Sequence, residues 1–412
     1  MSTTRSFQAM LNQYLPNELL REELVKRDWI LQNVERDDSW KGGDLVVPFR
    51  GSRASSVAFG SLTASQDIAQ DVYVRGTISG GYPEVWGSML FNHKDLIEHD
   101  KISEQNFLKL LPDTVEDFMD FMKQCVSLSF LNGPAFATLT VDGTSGGVIV
   151  VNRPERFEIG QKVFLYNSTT GLSVPLYVGS IIIDTATITV YTDRGFGTVV
   201  DVSAYTVANA TKVYFDGSQA NGLTSLKLSL LSATNGGTTQ LYGQTKTAYP
   251  YLQSINVNGA TSTAATILED IFNAYTVIKN RGKGDPSKVV MSYLRLGYIM
   301  TLLEQQKGAY HIDQKGTRVN AFGWTEITVF GVKGRLDVIG IQEMDDDYIM
   351  FLDMRAMKIF TNGFFRKRIN PDGREYFEIR NTTGYQYVID LCMFGDLVLL
   401  RPSYCGVLYN LP

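Results

Sequence analysis

The chain has 412 residues, 44% of them apolar and 11% aromatic, and carries a net charge of −5. This excludes a disordered chain and a generally basic nucleic-acid coat, and the length suits two or three domains. No apolar run approaches the ~18 residues of a membrane span, no hydrophobic signal segment opens the sequence, and three scattered cysteines (Cys125, Cys392, Cys405) fit neither a disulfide scaffold nor a zinc site.

The first expected element is a helix, in which Phe7, Met10, Leu11, Tyr14 and Leu15 recur at helical spacing until Pro16 breaks the run. A polar-rich helix is expected over 18–34. Both apolar stripes are too narrow for an independent core, so residues 1–45 read as an arm that lies on something else. Residues 43–49 read as a strand. From Arg50 to about Phe91 the chain is rich in Ser, Gly, Ala and Thr and alternates only in patches such as 72–78. That texture predicts an extended two-stranded excursion without a core of its own, a length of loop that usually serves function or a partner. Asp113-Thr114-Val115-Glu116 resembles a capping box. Val115, Phe118, Met119, Met122, Cys125 and Val126 then form one face of a long helix, expected to pack on a sheet and to stop at Asn132-Gly133-Pro134.

At Ala137 the composition shifts. Residues 137–245 hold only 13 charged residues against 17 Thr and 13 Gly, and short β-rich runs recur at 148–151, 162–166, 178–183, 187–191, 212–215 and 226–231. Such runs between turn residues predict an inserted small β-barrel or sandwich. Helical signals return with Ile267, Leu268, Ile271, Phe272, Tyr275 and Ile278, closed by Gly282. A buried strand at 288–291 and a helix capped by Ser292 and running to about Gln306 come next. Strands dominate after that, at 326–330, 336–341 and 348–352, in a hairpin around Asn370-Pro371-Asp372-Gly373, and at 397–402. The class is α+β with a β insertion.

Little in the sequence supports catalysis. His93, His99 and His311 are the whole histidine complement and none sits at metal-ligand spacing. G-x-S-x-G and G-x-x-x-x-G-K-[ST] are both absent, and Pro286 removes a backbone donor from the superficially similar 282–288. Asp345, Asp346 and Asp347 are a weak candidate for a divalent cation, against the reading of a solvated turn. Arg366, Lys367 and Arg368 suit either phosphate or an acidic neighbour. The first 136 residues carry a net −6 and residues 246–412 a net +2, which favours pairing between copies over DNA contact. Tyr82 and Trp86 near the base of the excursion, and Phe7 and Leu11 in the arm, are candidate interface anchors.

The order of these parts resembles the major capsid proteins of tailed double-stranded DNA phages, which share the Hong Kong ninety-seven fold. Residues 43–49, 114–131, 288–306 and 397–411 carry the resemblance. It implies an N-terminal arm (1–45), an extended loop (46–93), a peripheral domain with a spine helix (94–136 and 361–412), the inserted β domain (137–245) and an axial domain (246–360). It further implies a structural, non-enzymatic subunit without cofactors, forming hexamers and pentamers of an icosahedral shell around double-stranded DNA. Its partners would be other copies of itself, a scaffolding protein, a portal protein, the packaged DNA without sequence preference, and in some cases a decoration protein. It would assemble in the host cytoplasm and reside in the virion capsid, away from membranes. An arm helix beginning by about Ser6 leaves no room for a cleaved prosegment, so size control is expected from a separate scaffold. The excursion 46–93 contains no lysine, so the loop-lysine crosslink of some relatives is not expected. The alternatives are another virion protein, such as a tail-tube or decoration subunit, and a β-rich carbohydrate-binding protein.

Overall fold

The computed structural model describes residues 20–412 apart from 21, 23, 27, 51–72, 79–82, 93–103, 142–145, 169–170, 172, 204–210, 283, 307–325, 332–333 and 382–383. The N-terminal part contains α1 (Trp29–Asn33), β1 (Arg36–Asp37), β2 (Leu45–Arg50), β3 (Tyr73–Ile78), β4 (Glu84–Asn92) and α2 (Glu104–Leu131). Next come β5 (Ala135–Val141), β6 (Val148–Val151), β7 (Lys162–Asn167), β8 (Ser173–Ile182), β9 (Thr187–Tyr191) and β10 (Thr211–Phe215). Then follow α3 (Ser218–Asn221), α4 (Leu226–Leu230), β11 (Gln240–Leu241), β12 (Gln244–Thr245), β13 (Ile255–Asn258), α5 (Ile267–Arg281), β14 (Lys288–Met291) and α6 (Tyr293–Gln306). The C-terminal part is β15 (Glu326–Gly331), β16 (Gly334–Gly340), β17 (Tyr348–Leu352), β18 (Met357–Lys367), β19 (Phe377–Asn381), β20 (Gly384–Leu399) and β21 (Gly406–Tyr409). Two compact units result, residues 1–116 with 226–412, and residues 117–225.

In the first unit the 16-residue β20 organises a five-stranded sheet. β4 pairs along one edge of it, from Asn92↔Gln386 to Glu84↔Phe394. β18 and β19 both pair along the other edge, β18 against Leu391–Leu399 and β19 against Gly384–Val388. They run in the same direction, as one strand interrupted at 368–376. The expected hairpin around Asn370 is therefore a local turn, closed by Gly373 N–H donating to Asn370 O at 2.9 Å, between strands that do not pair. The real hairpin joins β19 to β20, with Asn381↔Gly384 as its last pair.

The six-stranded sheet has the order β13-β21-β17-β14-β16-β15. β17 is buried at every position, the continuous apolar run of a strand covered on both faces. α5 presents Ile267, Ile271, Ala274, Tyr275 and Ile278 at helical spacing, and α6 presents Leu296 and Ile299. These pack with Val289, Met291, Val338, Ile349, Phe351 and Leu408 of the sheet. Ser292 opens α6 as expected, its Oγ accepting from Arg295 N–H at 3.4 Å.

The arm and the excursion differ from expectation. Leu20, Leu24, Ile30, Leu31, Val34 and Trp40 are all buried, so the described part of the arm has a core. Asp28 caps α1 by accepting from Leu31 N–H at 2.8 Å. β1 adds to β18 in parallel, and Lys358 reaches both Glu35 and Asp37 at 3.2 Å. The base of the excursion is likewise fastened, because Val47 and Phe49 of β2 are buried with Leu241, Leu252 and Val398. Its return strand, β4, belongs to the five-stranded sheet.

The second unit is a closed antiparallel barrel of order β10-β5-β6-β9-β8-β7. Its interior holds Leu139, Val151, Val163, Leu165, Leu176, Val178, Ile188, Val190 and Val213. Alternate positions on each strand turn outward, which gives the period-2 pattern legible in the sequence. The chain leaves the barrel beside the point where it came in, and Ser218 Oγ donates to Pro134 O at 2.9 Å. β5 was not foreseen. The expected strand at 226–231 is instead α4, which groups with the first unit. α2 starts upstream of the expected cap and continues through Pro112. It ends as the sequence indicates, with Asn132 and Gly133 N–H both donating to Leu128 O and Gly133 at φ +116°.

Candidate functional site

Side chains alternate across a strand, so the pairings of β4, β18, β19 and β20 place defined residues on the outer face of the five-stranded sheet. Trp86, Cys392 and Arg366 form one row across it, and Leu90, Val388 and Phe377 form another. Between them lie Ser88 and Asp390, with Arg368 N–H donating to Asp390 O at 2.9 Å. Ile379 sits beside Gln386 in the row beyond. The opposite face carries Met89, Phe91, Ile389, Leu391 and Met393, all buried.

The outer face is apolar and open. Trp86 is 45% exposed, Leu90 50% and Ile379 42%. Both arginines lie over aromatic rings. The Arg366 guanidinium is 4.9 Å from the Phe394 centroid, and that of Arg368 is 4.9 Å from Phe377 and 5.7 Å from Trp86. Arg368 also pairs with Asp390 at 3.6 Å, and Asp390 accepts from Ser88 Oγ at 2.6 Å. Trp86 Nε1–H donates to Glu84 at 2.8 Å and the ring meets Phe394 edge-on. Burial pushes the Cys392 thiol up to about 11 against the opposing influence of Arg366, so it is an inert packing residue.

Three of the residues singled out in the sequence therefore meet here: Trp86, Arg366 and Arg368. Lys367 does not. It points to the opposite face, 1% exposed, and its ammonium is paired with Glu375. The basic triplet is thus not a continuous phosphate-binding patch. Phe7, Leu11 and Tyr82 lie outside the described residues. Leu90 was missed because β4 is apolar on both faces from Met89 to Phe91, which hides the alternation, and Phe377 and Ile379 because only the pairing of β19 with β20 brings them to this face.

The aspartate cluster has a different occupant from the one considered. Lys227 of α4 reaches Asp345 at 3.2 Å and Asp347 at 2.9 Å, and its ammonium also lies 4.4 Å from the Tyr348 ring centroid. Arg295 donates to the backbone oxygen of Asp346 at 2.8 Å. Lys227 thus pairs with two of the three carboxylates. Among the described residues there is no group of three or more His, Cys, Asp or Glu side chains placed to hold a metal ion.

No family model matches the sequence, and no curated protein does. Solved structures do. The capsid asymmetric unit of cyanophage A-1(L) is similar over 92% of this chain and 90% of its own, at 9% identity and a TM-score of 0.49. The capsid of the native GTA particle is similar over 93% and 90%, at 10% identity and a TM-score of 0.46. That of Myoviridae phage XM1 is similar over 93% and 91%, at 8% identity and a TM-score of 0.39. Each of the three is a capsid. Each likeness extends along more than nine-tenths of the chain. No helix among the described residues is long and apolar enough to cross a membrane.

Proposed function

We propose that this chain is the major capsid protein of a tailed double-stranded DNA phage, a structural subunit that assembles into hexamers and pentamers of an icosahedral shell. The observation that carries the reading is the outer face of the five-stranded sheet. Trp86, Leu90 and Ile379 stand in water there, beside guanidinium groups that lie over aromatic rings. Exposed Trp and pre-ordered Arg are the composition of interface anchors, because their burial gains much area at little cost in side-chain entropy. The parts also come in the order expected of such a subunit: arm, ribbon, long helix, inserted barrel, helix–strand–helix and a β-rich end. Trp86, Arg366 and Arg368 are assigned to contacts between copies, while Lys367 has an internal structural role.

On this reading the six-stranded sheet with α5 and α6 is the axial domain, and the barrel is a separate accessory domain. The protein resides in the virion capsid after assembly in the host cytoplasm. A scaffolding protein, a portal protein and DNA bound without sequence preference are its partners, and a decoration protein is an optional one.

Size-exclusion chromatography and negative-stain microscopy of the protein made with its neighbouring genes test the proposal. Closed shells are expected. Tubes would favour the tail-tube alternative, and a monodisperse monomer that never assembles would overturn the reading.

A further inference from the structure

The base of the excursion is a two-stranded ribbon, β2 with β3, paired from Leu45↔Ile78 to Arg50↔Tyr73. A ribbon of this size is marginal alone in water. Here it is gripped by one residue from far along the chain. Tyr242 lies in the tight turn between β11 and β12, at φ +50°, a conformation rare for a bulky residue and one that depends on its surroundings.

Three separate groups of Tyr242 make contact. Its ring stacks on Phe49 of β2, with centroids 5.4 Å apart and planes within 3°. Its carbonyl accepts from Thr77 N–H of β3 at 3.0 Å. Its hydroxyl accepts from Leu399 N–H, the last residue of β20, at 2.8 Å. Burial raises the phenol well above its ordinary range, so the hydroxyl stays neutral and in place. Gln244 adds a second tie, its Nε2 donating to Arg75 O at 2.9 Å. Gly76 makes the fit possible: a Cβ there would stand 2.4 Å from the Phe49 ring and 3.0 Å from Tyr242 Cβ. One residue, through its ring, carbonyl and hydroxyl, therefore joins both strands of the ribbon to the end of β20.

We propose that Tyr242 is a positioning residue for the excursion. It locks β2 and β3 to the body of the subunit and so sets the direction in which the chain leaves at Arg50 and returns at Tyr73. The proposal rests on the capsid reading for its consequence. If residues 51–72 engage a neighbouring copy, the angle of this bracket is one determinant of the angle between subunits, and hence of shell curvature.

The test has two arms, so that the bracket and the capsid reading fail separately. In the unassembled subunit, amide exchange reads the bracket. Tyr242→Phe keeps the ring and carbonyl and removes the acceptor for Leu399. It should speed exchange at Leu399 by roughly tenfold and leave Thr77 protected. Tyr242→Gly tolerates the positive φ and removes the stack, and should speed exchange across both β2 and β3. Phe49→Leu, which keeps an apolar side chain but loses the stack, guards against simple misfolding and should give an intermediate result. Unchanged exchange in Tyr242→Gly would overturn the bracket. In the second arm, micrographs of assembled material measure shell diameter, with circular dichroism confirming an intact body. Tyr242→Gly should broaden the diameters or block closure. Wild-type diameters from a variant whose ribbon exchanges rapidly would refute the positioning role. Failure of the wild-type chain to form shells would refute the capsid reading and leave the exchange result standing.

Discussion

Lys227 offers a quantitative test of the aspartate cluster. Its ammonium is shared by Asp345 and Asp347, and the three side chains are 18%, 22% and 54% exposed respectively. The contact with the half-exposed Asp347 is worth about 0.5 kcal/mol, and that with the more buried Asp345 about 1 kcal/mol. The face of Tyr348, which is fully buried, adds about 0.5 kcal/mol at a centroid distance of 4.4 Å. Lys227→Met keeps the aliphatic stem and removes all three, leaving adjacent carboxylates without their cation. The expected loss is about 2 kcal/mol, read as a fall of roughly 0.5–1 M in the urea midpoint by fluorescence or circular dichroism. Lys227→Arg should retain most of the stability. High salt should narrow the gap between wild type and Lys227→Met only modestly, because the Asp345 contact is partly shielded from solvent. A Lys227→Met midpoint indistinguishable from wild type would refute the reasoning. Stabilisation of the wild-type chain by millimolar Mg²⁺ or Ca²⁺ would refute it differently, by showing that the carboxylates prefer a metal to the lysine.

Two further outcomes follow from single residues. Lys246 donates to the carbonyls of Leu228 and Leu231 at 3.1 and 2.9 Å, and burial lowers its pKa to about 8. The unfolded chain therefore binds more protons than the folded one between pH 8 and about 10.5. Stability should rise with pH across that window by at most about 3 kcal/mol relative to Lys246→Met, and a flat difference would count against it. In the barrel, a Cβ on Gly179 would come 2.1 Å from the Tyr191 ring, which rests on Phe196. Residues 117–225 produced alone should give dispersed amide NMR shifts, and Gly179→Ala should lower their thermal stability by about 1–3 kcal/mol. A random-coil spectrum of the parent fragment would refute its independence.

Much of the architecture was legible because long elements repeat their signal. α5 and α6 each carry several turns of helical spacing, and most barrel strands lie between clear turn residues. The failures share a cause in short or distant information. The run Leu226-Lys227-Leu228-Ser229-Leu230 alternates like a strand, yet Leu226, Ser229 and Leu230 also share a helical face, and burial of those three decided for the helix. Nothing near Val47 or Phe49 indicates that Leu241, Leu252 and Val398 will cover them, so the excursion looked coreless. The basic triplet reads as one patch because its three cations are consecutive in the sequence. Once 366–368 is a strand, alternation sends Lys367 one way and the two arginines the other. The outer sheet face was half legible: Trp86 and the arginines stood out by type, whereas Leu90 and Ile379 needed the pairing register to be found.

β20 and β21 carry a consequence for synthesis. β20 is the common partner of β4, β18 and β19, and β21 lies between β13 and β17. The five- and six-stranded sheets of the larger unit therefore stay incomplete on a translating ribosome until residues 384–409 have emerged, whereas the barrel can close once Phe215 is out. The face bearing Trp86 and Arg366 does not exist before β20 arrives, so a nascent chain has no finished surface with which to engage another. A chain cut short before residue 384 lacks the central strand of the five-stranded sheet and the strand that joins β13 to the six-stranded one, and the exposed edges favour proteolysis. A chain truncated there never forms the sheet face that bears Trp86 and Arg366.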